Sequence, residues 1–135
     1  MGFSSPRTVV YDGEVTAKDY KAGENISAGA VLYLSDDFTV KATNTSQVYP
    51  IGVALSNASA NDRIAVLGCG SRVYVCTATP VSAGDLVIPA DEGRVQKADI
   101  NTTATHYIVG VALEDQNTSD GHVRIVLSPQ IVVKG

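Results

Sequence analysis

Residues 26–35 read ISAGAVLYLS, and residues 81–90 read VSAGDLVIPA. The two stretches start 55 positions apart and carry the same plan. In each, Ser-Ala-Gly forms a turn of small residues ahead of an apolar strand. Gly29 and Gly84 can take a positive φ there, where a Cβ would clash. The strands VLYLS and LVIPA run into acidic turns, Asp36-Asp37 and Asp91-Glu92. They return as TVKA and RVQKA, so each copy predicts a β-hairpin. The likeness continues downstream. YPIGVAL (49–55) is answered by YIVGVAL (107–113), and DRIAVLG (62–68) by HVRIVLS (122–128). The offset drifts from 55 to 60, which places small insertions in loops.

Glycine inside an apolar strand marks a bulge, a corner or a close backbone approach. Gly52 and Gly110 hold that position in the two copies, and such corners suit a sheet that must bend to close. Pro50 and Pro89 belong at strand ends or edges, because proline donates nothing to a ladder. The remaining chain is rich in Val and Thr, alternates in short runs such as RIAVL (63–67) and RVYVC (72–76), and is punctuated by Gly, Asn, Asp, Ser and Pro. That pattern predicts an all-β sandwich or barrel. No window keeps apolar residues at helical spacing, and TATPVSAG and NASAND are the best places for a short helical turn. The expected architecture is a small β-barrel closed by an internal duplication, with little helix. Copies at about 21–68 and 79–128 lie within one β domain, 21–135, and are linked by 69–78. Residues 1–20 stand outside the doubling as an N-terminal arm.

Composition excludes several classes. The chain has 135 residues, is 44% hydrophobic and 18% charged, and carries a net charge of −4. That is enough apolar material for a core and too few charges for a disordered chain. Ten Lys and Arg residues are scattered singly. With no basic stripe, nucleic-acid binding is not expected. No apolar run is long enough for a membrane span, and the N-terminus lacks a signal-peptide core. Pro6 stands where a myristoylation signal needs Ser or Thr.

No catalytic set is legible. Cys69 or Cys76 with His106 or His122 is the one Cys/His option, and neither cysteine has a nucleophile's context. Seven positions separate the cysteines, which puts them on opposite faces of a strand and argues against a local disulfide. No zinc spacing, calcium loop or phosphate-cradling glycine motif is present. DQNTSDG (115–121) is oxygen-rich but reads as a polar hairpin loop. The expectation is no enzyme, no cofactor and no metal. Tyr33, Tyr49, Tyr74 and Tyr107 fall in the doubled core and read as cross-strand packing.

The order of SAG and an apolar strand, an acidic turn, VxKA, GVAL and a short Val-rich strand, carried by SAGDLVIP (82–89) and VGVALED (109–115) and more weakly by SAGAVLYL (27–34) and IGVALSN (51–57), resembles the small cement or head-decoration proteins of bacteriophage capsids. The resemblance covers roughly residues 20–128. It implies a β-barrel or β-tulip-like core bound to the outside of an icosahedral head, hence a virion location. It implies a homotrimer that clamps neighbouring major capsid protein subunits, with no nucleic-acid or membrane partner. It also implies no enzymatic activity. The alternative is another structural or adhesive phage module of a tail, baseplate or fibre, or a carbohydrate-binding module. Under this resemblance residues 1–20 become a candidate capsid-binding arm. Phe3, Pro6, Arg7, Val9, Val10 and Tyr11 would anchor a strand added to a neighbour's sheet. An ordinary first strand of the same barrel is the competing reading. The tail after Pro129, QIVVKG, poses the same choice between a last strand and a segment that pairs with a partner.

Overall fold

Strands with one apolar face must turn that face inward, and short strands must curl to cover it. A computed structural model describes residues 3, 5, 6, 9–12, 17–99 and 103–134, and among these the regular structure is almost wholly β. The strands of the first half are β1 (Val10–Asp12), β2 (Ala17–Ala22), β3 (Val31–Asp36), β4 (Thr39–Ala42), β5 (Pro50–Ala54) and β6 (Arg63–Leu67). Those of the second are β7 (Arg72–Cys76), β8 (Leu86–Pro89), β9 (Val95–Lys97), β10 (Ala104–Ala112) and β11 (His122–Lys134). A single 3-10 turn covers Asp91–Gly93. TATPVSAG and NASAND, expected to hold any helical turn, are instead turns and isolated bridges.

The duplication builds two circuits of one topology. In the first half β2-β4-β3-β5-β6 form a closed barrel, with β2 antiparallel to β6 and parallel to β4. In the second half β1-β7-β11-β10-β8-β9 form a six-stranded sheet. Thr77, just past β7, bridges Val95 of β9 in parallel, the counterpart of the Ala22–Val40 pair in the barrel. The isolated bridges repeat as well, Ile26–Ala58 answering Val81–Gln116. So do the loop hydrogen bonds: Gly29 N–H donates to Ala54 O at 2.9 Å, and Gly84 N–H to Ala112 O at 2.8 Å. Each copy therefore closes on itself, rather than the two closing one barrel between them. The repeat also begins earlier than its legible sequence. Residues 17–20, which the sequence places in the arm, open β2, whose counterpart is β7. In the last strands the pairing of Val53 with Leu67 answers that of Val111 with Val126. Strand register thus aligns Val66 with Ile125, one residue short of the offset the letters suggest.

Two apolar clusters hold the halves. Ala22, Ile26, Ala30, Leu32, Val40, Ala54, Ile64 and Val66 line the first barrel. The second cluster is shared: Val31, Val53 and Leu67 from the first half join Val73, Val87, Val109, Ile125 and Leu127 from the second. The contact lies where β5 meets β10 and β11, and where the Asp91–Gly93 turn meets β4. There Gly93 N–H donates to Thr43 O and Thr43 Oγ1 donates to Ala90 O, each at 2.9 Å. Burial of the Thr43 hydroxyl is satisfied by this bond.

The interior glycines are sites of close approach. A Cβ on Gly52 would lie 2.1 Å from Leu67 O, and one on Gly110 would lie 2.0 Å from Val126 O. Opposite Gly110 the register shifts, and Pro129 sits at this irregularity in β11, where its missing N–H costs least. Gly84, by contrast, has φ +89 and open space around it. Gly110→Ala is therefore expected to cost about 3 kcal/mol or more through backbone displacement. Gly84→Ala should cost about 1–2 kcal/mol, through conformational strain alone. Urea denaturation of the two variants checks that order.

Candidate attachment surface

The N-terminal residues are seated on their own chain. Phe3 packs against the first barrel's cluster, and its N–H donates to Glu92 Oε2 at 3.3 Å. Pro6 is buried over Gly29, whose φ is +87; a Cβ at residue 29 would come within 2.5 Å of the proline ring. Val9 is buried in the shared cluster, and its carbonyl accepts Tyr74 N–H at 2.8 Å. Val10 pairs with Val73 as β1 adds antiparallel to β7. Arg7 lies outside the described residues, as do the side chains of Val10 and Tyr11. The described part of the segment thus follows the competing reading, a first strand of the chain's own sheet. Phe3, Pro6 and Val9 fill positions in this fold that a capsid anchor would have to vacate.

The residues weighed for catalysis are dispersed or sealed. Cys69 is exposed in a turn, and Cys76 is buried. His122 stands opposite Cys76 across β7 and β11, so the fold does bring one Cys/His pair together. The thiol is fully buried, which leaves that pair no face for a substrate. His106 is buried in β10 opposite Val132. Among the described residues no group of three or more His, Cys, Asp or Glu could hold a metal ion. No helix there is long and apolar enough to cross a membrane.

The charged residues instead brace loops. Arg94, largely buried, is held by Asp91 and, at 2.6 Å, by Asp120. Its hydrogen bond to Asp91 is the main reason its pKa is raised, with Asp120 adding to it. Asp120 belongs to DQNTSDG, so that oxygen-rich loop is tied down by a cation of its own chain. Gln116 in the same loop donates through Nε2 to His122 O at 2.8 Å. Glu114 accepts Arg124 Nη2 at 2.7 Å through Oε1 and the Arg124 N–H at 3.1 Å through Oε2.

Some large apolar residues remain exposed, and Leu34, Ile131 and Val133 among them lie on strands. Beyond the register shift, β10 and β11 pair as a ribbon, Thr105 opposite Val133 and Tyr107 opposite Ile131. Ile131 and Val133 are 54% and 73% exposed. The β7 partner of β11 ends at the Arg72–Val126 pair, so residues 128–134 run past it. A cleft of about 300 Å³ beside the ribbon is lined by Gln47, Ile88, Gln96, Lys97, His106 and Tyr107. A two-stranded ribbon with exposed apolar residues is marginal in water and invites a protein partner. The choice for QIVVKG resolves as a last strand paired with β10. Its outward Ile131 and Val133 were not singled out from the sequence, although IVV after a proline was the available signal. At the far end, Leu34 and Phe38 are 51% and 76% exposed on the β3–β4 hairpin.

No family model matches the chain, and no curated protein matches it. Among solved structures it is similar to one described as "head fiber gp8.5 N base in bacteriophage phi29". That likeness has a TM-score of 0.64 and 19% sequence identity, over 85% of this chain and 95% of that one. It shows a shared fold.

Two outcomes follow for the segments just described. Arg124 holds the folded Glu114 carboxyl below its ordinary value, chiefly through their hydrogen bond. The pair therefore adds stability above the usual carboxylate range and loses it as pH falls through and below that range. Glu114→Gln should lower stability at neutral pH and flatten its decline in acid, measured as melting temperature against pH. Val9→Ala should cost roughly 1–3 kcal/mol, because Val9 lies in the shared core rather than on a detachable arm. Chemical denaturation measures it.

Proposed function

We propose that this chain is a non-enzymatic structural protein of a tailed-phage head, bound to the outer surface of the shell through the major capsid protein. The observation that carries the reading is the fold likeness to a head-fibre base, which spans nearly the whole of both chains. The order of the SAG, VxKA and GVAL motifs supports it independently. Attachment needs no reactive group. Several modest apolar contacts, repeated around a symmetry axis, sum to a tight grip. In the favoured form of the reading the protein is a trimer that clamps adjacent capsid subunits, with the β10–β11 ribbon and its cleft as the contacting face.

A second reading is favoured by the similarity to a head-fibre base: the chain is the base of a fibre, attached to the head without stabilising it. Heads assembled without this protein separate the two. Purified protein added to them should give stoichiometric, symmetric density on the outer surface. A clamp raises the temperature at which filled heads release DNA, whereas a fibre base leaves it unchanged. Absence of bound density in that experiment refutes both. Replacing Ile131 and Val133 with Lys should reduce binding at least about tenfold while leaving the far-ultraviolet circular dichroism spectrum unchanged.

A further inference from the structure

The two copies differ most where one covers the other. In the first half Val31, Val53 and Leu67 lie side by side across three strands and are fully buried against the second half. Their counterparts, Leu86, Val111 and Val126, form the same row through the same pairings and are only half-buried. The second copy thus carries the apolar row that, in the first, is covered by a barrel of this fold.

The hairpin tips show the converse. In the second copy Pro89, Ala90 and Gly93 are buried, and the tip rests on Thr43 and Ala30 of the first half. Register sets Leu34, Ser35 and Phe38 at the equivalent positions of the first copy, because Leu34–Val40 answers Pro89–Val95. All three are exposed. Phe38 has φ +46, in the left-handed region, where its counterpart Gly93 has φ +74. A bulky residue held there costs free energy that glycine would not. Its ring meets Tyr20 at 6.4 Å between centroids and otherwise projects from the tip. Asp36 and Asp37 flank it, both exposed.

We propose that the β3–β4 tip, with Leu34 and Phe38, docks on the Leu86–Val111–Val126 row of a second copy of this chain. The occupant is a second copy because both halves of the contact are present on one molecule. The equivalent row is already covered by a barrel of the same fold. Such a contact is heterologous, so it closes into a ring or extends into a chain. It concerns assembly of the protein alone and stands or falls separately from attachment to heads.

Sedimentation equilibrium of the full chain tests it. The wild type should show a mass that is a multiple of 14.1 kDa. Phe38→Gly, which removes the knob and the strain, should melt no lower than wild type and associate at least about tenfold more weakly. Val111→Lys should do the same to association through the row. An equimolar mixture of the two variants should form a complex of twice 14.1 kDa and nothing larger, since each keeps one intact half. A monomeric wild type, unchanged association of folded Phe38→Gly, or a mixture that stays monomeric overturns the proposal. In either result, density of the wild type on heads reports separately on attachment.

Discussion

The fold depends on two places where backbone meets backbone with no room for a side chain. At Gly52 and Gly110 the carbonyls of Leu67 and Val126 occupy the space a Cβ would fill. This approach lets β5 and β10 cross close to their partners and bend, and a small barrel needs that bend to shut. With the strands so curved, Leu32, Val40, Ile64 and Val66 converge inside the first barrel. Val87, Val95, Val123 and Ile125 occupy the matching positions of the second cluster.

Much of this architecture was legible because it rests on local, repeated chemistry. Small-residue turns, acidic hairpin tips and interior glycines each have a short-range cause, and their recurrence marked the duplication. The alternating stretches RIAVL and RVYVC form β6 and β7. Long-range pairing was not legible. AKDYKA at β2 shares almost nothing with RVYVC at β7, yet each lies beside the last strand of its copy. A strand's partners are chosen by tertiary packing that its own letters do not encode. That is why the arm's boundary fell inside β2, and why one barrel was expected where two circuits formed. The attachment face was the least legible. Ile131 and Val133 look like ordinary strand residues until the neighbouring strand is seen to stop short.

The copies have also diverged in how they hold their loops. The second uses ion pairs, Arg94 with Asp91 and Asp120, and Arg124 with Glu114. The first uses side-chain amides beside carboxylates: Asn57 Oδ1 accepts Ala28 N–H at 2.7 Å, Asn25 Oδ1 accepts Ala60 N–H at 3.0 Å, and Glu24 Oε2 accepts Ala42 N–H at 3.0 Å.

Val31 and Leu32 are adjacent in β3, yet they face different clusters, one shared between the halves and one private to the first barrel. A strand with two buried faces ties the unfolding of one circuit to that of the other. Separating the halves would strip Val31, Val53 and Leu67 of their cover, so neither half is a melting unit in its own right. Calorimetry of the intact chain should resolve a single transition despite the visible doubling. Amide protons of β3 and β5 should exchange only through that global opening.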